Sequence, residues 1–219
     1  MIIAIGILIG VYIFIALINF IFFTIKKDDK NLFFCLVMLF FSFLLFAKII
    51  FPELNLPKTS TIEKIGKFIL LFSNVLVIFA MILFVNSVFN INNNVKTYFI
   101  IGYVTLVFIP FIFAYSIYLF FNDYDTGRVI FVVSSVGCGI IYWIFLIYIL
   151  IFEKKIYRNA DELYVFLSIS FFYFFYCSYP VLMIFYFDLA VQMIFLNAGI
   201  LITSILINIY LIQKKFFNK

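Results

Sequence analysis

The sequence predicts an all-α integral membrane protein, a seven-transmembrane-helix bundle with its N-terminus outside and its C-terminus inside. Three observations predict it: the composition, the spacing of the charged residues, and their asymmetry between alternate loops. Of 219 residues, 68% are hydrophobic and 11% charged, and the mean hydropathy is +1.27. Soluble domains carry about a quarter charged residues and about half apolar ones. No soluble fold of this length hides so much apolar surface.

A helix needs about 20 apolar residues to cross the hydrocarbon core, and the charged clusters divide the chain into such runs. The first, Ile2 to Ile25, stops at Lys26, Lys27, Asp28, Asp29 and Lys30. It reads as a span and not a signal peptide, because it lacks a basic start and a small-residue cleavage site and is too long for an h-region. Further spans run from about Leu32 to Phe51, Phe68 to Phe89, Thr97 to Phe121 and Val129 to Phe152. The stretch from Leu163 to Gln213 carries one charge, Asp188, so it must cross twice, at about 163–187 and 189–213. That turn has no Gly or Pro to mark it, and six spans is the alternative. The longest loop, Pro52 to Gly66, has fifteen residues, so residues 1–219 are read as a single transmembrane domain. No internal repeat is visible, which disfavours an inverted-repeat transporter.

Orientation follows from Lys and Arg, which accumulate in cytoplasmic loops. With the N-terminus outside, the inner side holds ten: Lys26, Lys27, Lys30, Lys96, Lys154, Lys155, Arg158, Lys214, Lys215 and Lys219. The outer side holds four: Lys58, Lys64, Lys67 and Arg128. The net charge of +5 thus reads as topology and inner-leaflet contact, with no nucleic-acid partner.

The interior is poor in reactive groups. The chain has no histidine, which removes the commonest metal ligand and the side chain that titrates near neutrality. Cys35, Cys138 and Cys177 sit in apolar stretches without metal-ligand spacing and read as small core residues. All ten carboxylates fall at loops or span boundaries, whereas a proton pump needs one at membrane depth. Lys48 alone among charged residues is placed within a span, near its outer end. It reads as a snorkelling side chain, or as a relocated amine able to form a Schiff base or bind an anion. Ser73, Asn74, Asn86, Ser134, Ser135, Ser178, Asn197, Thr203 and Ser204 lie at depth and are expected to hydrogen-bond between helices, while Gly137, Cys138 and Gly139 allow close helix approach. With no nucleophile and base pair, metal cluster or phosphate loop, the chain is not expected to be an enzyme. The surplus of Phe and Tyr also has the look of codon drift in an AT-rich genome, so aromatic content by itself says little about a ligand pocket.

The fifth and sixth spans resemble those of the microbial (type I) rhodopsins, seven-helix retinal proteins of the same topology. The sixth reads Tyr176-Cys177-Ser178-Tyr179-Pro180-Val181-Leu182-Met183, where the family has an aromatic, two small residues, Tyr-Pro, two apolar residues and a second aromatic. Tyr176 would take the place of the family's Trp beneath the retinal ring, and Met183 departs from the pattern. The fifth span begins at Arg128 and carries Ser134 and Ser135, as the family's fifth helix does. The resemblance covers the last hundred residues or so, and the first hundred only through topology.

The seventh span departs most. Its best match to the family's Asp and retinal-binding Lys, four residues apart, is Asn197 and Leu201, and no Lys lies between Arg158 and Lys214. The third span lacks the family's Arg-x-x-Asp-Trp-x-x-Thr run, with Asn74 and Asn86 loosely where its carboxylates belong. Losing both is self-consistent, because a buried counterion without its cation is costly.

The resemblance implies a rhodopsin-like protein without a covalent chromophore, acting as a sensor, scaffold or membrane partner. Its vestigial retinal-type pocket would comprise Tyr142, Trp143, Tyr176, Tyr179, Pro180, Asn197 and Leu201, with Tyr173 beside them. No cofactor is expected beyond a non-covalent apolar ligand or lipid, and the plainer reading of these rings is ordinary helix packing. The expected partners are the lipid bilayer, other membrane subunits or further copies of the chain, in a plasma, viral or organellar inner membrane. The competing expectations are a structural subunit of a larger complex, such as an organelle-encoded respiratory assembly, and a passive ion channel or small-solute carrier.

Overall fold

The computed structural model describes residues 2–53, 61–91, 93–121, 123–153, 160–184 and 189–216. Among these the chain forms α1 (Ile2–Lys26), α2 (Asp29–Glu53), α3 (Thr61–Val88), α4 (Asn93–Tyr103), α5 (Ile109–Phe121), α6 (Tyr124–Tyr148), α7 (Ala160–Ile184) and α8 (Leu189–Phe216). Two π-helical stretches, Val104–Phe108 and Ile149–Glu153, join α4 to α5 and extend α6. The turn expected at Asp188 and the basic loop at Lys154, Lys155 and Arg158 lie outside the described residues.

Among the described residues, five stretches are long and apolar enough to cross a membrane: Ile5–Lys26, Asp29–Ala47, Thr61–Val88, Lys96–Phe121 and Asp125–Phe152. At 1.5 Å rise per residue the shortest is about 29 Å long, close to the hydrocarbon thickness of about 30 Å. The architecture is all-helical and multi-pass.

Helix ends form where the sequence places charge and amides. Lys27 adopts the left-handed conformation (φ 53°) and donates its N–H to the Phe23 carbonyl at 2.7 Å, ending α1. Asp28 then starts α2, accepting the Lys30 N–H on its side chain at 3.2 Å and the Asn31 N–H on its carbonyl at 3.0 Å. The charged run that ends the first span is therefore a tight turn. At the end of α3, Asn90 takes the left-handed conformation (φ 48°) and the Ile91 N–H reaches the Asn86 carbonyl at 3.2 Å, a Schellman closure. Asp123 caps α6 through the Thr126 N–H at 3.1 Å, and these bonds to Thr126 hold its carboxyl below the usual carboxylate range.

The fourth span is interrupted in a way that the apolar pattern does not reveal. Pro110 has no N–H for the Leu106 carbonyl, and its ring crowds that carbonyl. The Ile109 N–H bonds the Val104 carbonyl five residues back, and the helix widens over one turn. Val107, Phe111, Ala114 and Tyr118 still fall on one buried face.

The chain divides into two compact units, Met1–Ser135 and Val136–Lys219. In the first, α1 packs on α2 and α2 on α3. Tyr12 meets Phe41 edge-on at 5.2 Å and Phe34 meets Phe84 at 5.0 Å. Phe68, Phe72, Phe111 and Tyr115 join α3 to α5 with ring centroids 5.0–6.5 Å apart. Ile7, Phe14, Leu17, Phe20, Ile21 and Ile25 leave a broad apolar face of α1 exposed, the surface expected of a helix solvated by lipid. In the second unit, α7 packs on α8.

For the described hydroxyls the expectation of bridges between helices is overturned; the side chain of Ser178 lies outside the described residues. Ser73, Ser134, Ser135, Thr203 and Ser204 each donate to the carbonyl four residues back in their own helix, at 2.6–2.9 Å. Those carbonyls keep a free lone pair within reach of a short side chain, so a neighbouring helix is not needed. Asn74 likewise donates to the Leu70 carbonyl at 2.7 Å. Tyrosines make the bridges instead. Tyr103 donates to the Val75 carbonyl at 2.7 Å, Tyr115 to the Lys64 carbonyl at 3.4 Å, and Tyr118 to Glu63 Oε2 at 2.6 Å. Only so long a side chain carries its hydroxyl across the gap between helices, and such bonds contribute about 0.6 kcal/mol each within a membrane.

Candidate functional site

The candidate pocket lies in the second unit, where its described members come from α6 and α8. Tyr142 and Trp143 are successive residues of α6, so their side chains diverge by about 100° around the helix. Tyr142 is buried and Trp143 half-buried. Trp143 stacks on Phe166 of α7, with planes 3° apart and centroids at 5.5 Å.

On α7, Val165, Ser168, Ile169 and Phe172 are buried, with Phe166 beside them, the i, i+3, i+4, i+7 stripe of a helix that faces a neighbour. On α8 the buried stripe runs through Asn197, Ile200, Thr203, Ser204, Ile207 and Leu211. Asn197 thus faces the packed interior, while Leu201 lies half-buried at the edge of the stripe.

Between those two positions the helices are in close contact. The Phe175 ring of α7 lies against Gly199 of α8, in the space that a side chain on residue 199 would need. Only glycine leaves room there, because it has no Cβ. Gly199 lies midway between Asn197 and Leu201 in the sequence. Its small-residue character four places before Thr203 was the available signal for a close crossing.

Tyr176, Tyr179 and Pro180 belong to α7 and Lys48 to α2, but the side chains of these four, and that of Tyr173, lie outside the described residues. Of the pocket's members, the structure describes Tyr142, Trp143, Asn197 and Leu201. What it brings together around them is mainly aromatic: Trp143 on Phe166, Phe174 edge-on to Phe175 at 5.7 Å, and Phe175 on Gly199. Phe166 and Phe175 were not singled out in the sequence, where 35 phenylalanines leave any one of them indistinct.

The chemistry available is that of an apolar surface with amide and hydroxyl groups. Thr203 bonds the Gly199 carbonyl at 2.9 Å and Ser204 the Ile200 carbonyl at 2.6 Å, so both hydroxyls are already committed. Among the described residues, the buried polar side chains are Asn, Ser and Thr, and no group of three or more Cys, Asp or Glu is placed to hold a metal ion. No protein-family model matches the chain, and no curated protein or solved structure shows significant similarity to it.

Proposed function

We propose that this chain is a seven-span membrane protein with its N-terminus outside and C-terminus inside, rhodopsin-like in architecture but without a covalent retinal. It acts as a sensor, scaffold or membrane partner and not as an enzyme. The observation that carries this reading is Leu201 at the place of the retinal-binding lysine, with no Lys between Arg158 and Lys214. In the resembled family the retinal-binding lysine projects from that part of the seventh helix.

The count of seven is supported by the lengths of α7 and α8, 25 and 28 residues, or about 38 and 42 Å of helix against about 30 Å of hydrocarbon. The orientation is supported by the ten-to-four distribution of Lys and Arg. A second reading, a subunit of a larger membrane complex, is favoured by the exposed face of α6. There Ile140, Ile141, Ile144, Phe145, Tyr148 and Phe152 present a broad apolar surface to lipid or a partner.

Reconstitution with all-trans retinal tests the first reading. The purified protein is expected to develop no red-shifted, hydroxylamine-sensitive absorption band. A band of that kind, abolished by Lys48→Ala, would overturn the proposal and locate a Schiff base at Lys48. Native electrophoresis of gently solubilised membranes separates the two readings: migration with a large assembly favours the subunit.

A further inference from the structure

Two buried side chains of the first unit stand apart from the packing around them. Asn31 on α2 is 0% exposed and Asn86 on α3 is 4% exposed. In each, neither the amide nitrogen nor the amide oxygen has a hydrogen-bond partner among the described residues. The buried hydroxyls of Ser42, Ser73 and Ser135 in the same unit are all satisfied by carbonyls one turn back. Leaving four amide atoms dry and unpaired is strongly unfavourable.

The two amides occupy one level of the unit. The contact between Phe34 and Phe84 sets the register of α2 against α3. At 1.5 Å per residue, Asn31 lies about 4.5 Å from Phe34 toward the start of α2, and Asn86 about 3 Å from Phe84 toward the end of α3. In antiparallel neighbours those two directions coincide. Both amides therefore lie at the end of the unit marked by the Lys27–Asp28 turn, within about one helical turn of its polar surface.

The occupant follows from what an amide offers. Each side chain presents an acceptor oxygen and a two-proton donor nitrogen. A cation would satisfy only the oxygens and an anion only the nitrogens. Lys26, Lys27 and Lys30 at the same end disfavour a cation further. A small neutral molecule with both donors and acceptors satisfies all four atoms, and water is the smallest.

We propose that Asn31 and Asn86 bind water, forming an internal hydration site in the α1–α3 unit at the level of the Lys26–Lys30 turn. This rests on the first unit alone and is independent of the rhodopsin-like reading.

Solid-state NMR of the full-length protein in lipid bilayers tests it, with asparagine side chains labelled with 15N and polarisation transferred from water. The Asn31 and Asn86 side-chain NH₂ signals, assigned by their loss in Asn31→Leu and Asn86→Leu, are expected to build up several-fold faster than signals from the Phe34 ring. Build-up as slow as that ring's would overturn the proposal. The leucine variants give a second readout. A thermal midpoint that falls is expected, because the bound water loses a partner; a midpoint that holds or rises would mark the amides as dry and contradict the site.

Discussion

Replacing Gly127 with alanine is expected to lower the thermal midpoint of the protein in detergent, against the usual effect of that substitution in a helix. Gly127 is the fourth residue of α6 and is buried. A Cβ there would run into the Ala114 carbonyl oxygen, with the Ala114 carbonyl carbon 3.2 Å and Cα 3.4 Å away. All three are backbone atoms, so relief requires one helix to move against the other. Alanine gains about 1 kcal/mol over glycine in helix propensity, while overpacking a close contact costs about 1–3 kcal/mol. The clash wins, by about 1 kcal/mol, and the midpoint falls by about 2–4 °C for a chain of this size. Gly127→Leu is expected to cost more. Gly137, on the same helix, has nothing within 4 Å of its position for a Cβ, so Gly137→Ala keeps the propensity gain and is expected to raise the midpoint. If both alanine variants move in the same direction, the close crossing at Gly127 is wrong.

The second large effect belongs to Gly199. A Cβ on that residue would sit among Cγ, Cδ1 and Cδ2 of Phe175. Gly199→Ala therefore forces the ring out of its seat, at about 1–3 kcal/mol. A ring yields more readily than a backbone, so the loss is expected to be recoverable. Phe175→Leu in the Gly199→Ala background should restore much of the stability that the single substitution removes. A coupling energy of about 0.5–3 kcal/mol is the signature of two groups in contact, and strictly additive single variants would show that Phe175 does not occupy this space. The result bears directly on the packing of α7 on α8, since a seated Phe175 fills the Gly199 side of α8.

The sequence made the helical, multi-pass architecture legible because hydrocarbon imposes a length on every span and excludes charge from it. The charged run Lys26–Lys30 marked the turn between α1 and α2 for that reason, whereas the fifth span, expected from Arg128, starts earlier, at Tyr124 behind the Asp123 cap. The π-helical widening at Val104–Phe108 was hidden by a uniformly apolar pattern, although Pro110 carried the signal for it. The deep serines and threonines were visible as polar residues, but their partners were not. Whether a hydroxyl turns to its own helix or a neighbour depends on rotamer and helix separation, which composition does not encode.

The candidate site was legible in part. Asn197, expected at depth in its span, is buried on the face it shares with Ile200 three residues on and Ser204 seven residues on. Phe166 and Phe175 were missed because, in a chain so rich in phenylalanine, packing partners are chosen by three-dimensional register. The same limit applies to Asn31. It lies two residues into α2, and only its burial gives it meaning.

The account rests on a bundle with an odd number of spans, and topology tests that most directly. Epitope tags at the N-terminus, at the C-terminus and beside Asp188, probed with a protease in sealed, right-side-out vesicles, report the side on which each point lies. The account predicts that the N-terminal and Asp188 tags are cleaved while the C-terminal tag is protected. Both termini on the same side of the membrane would contradict it.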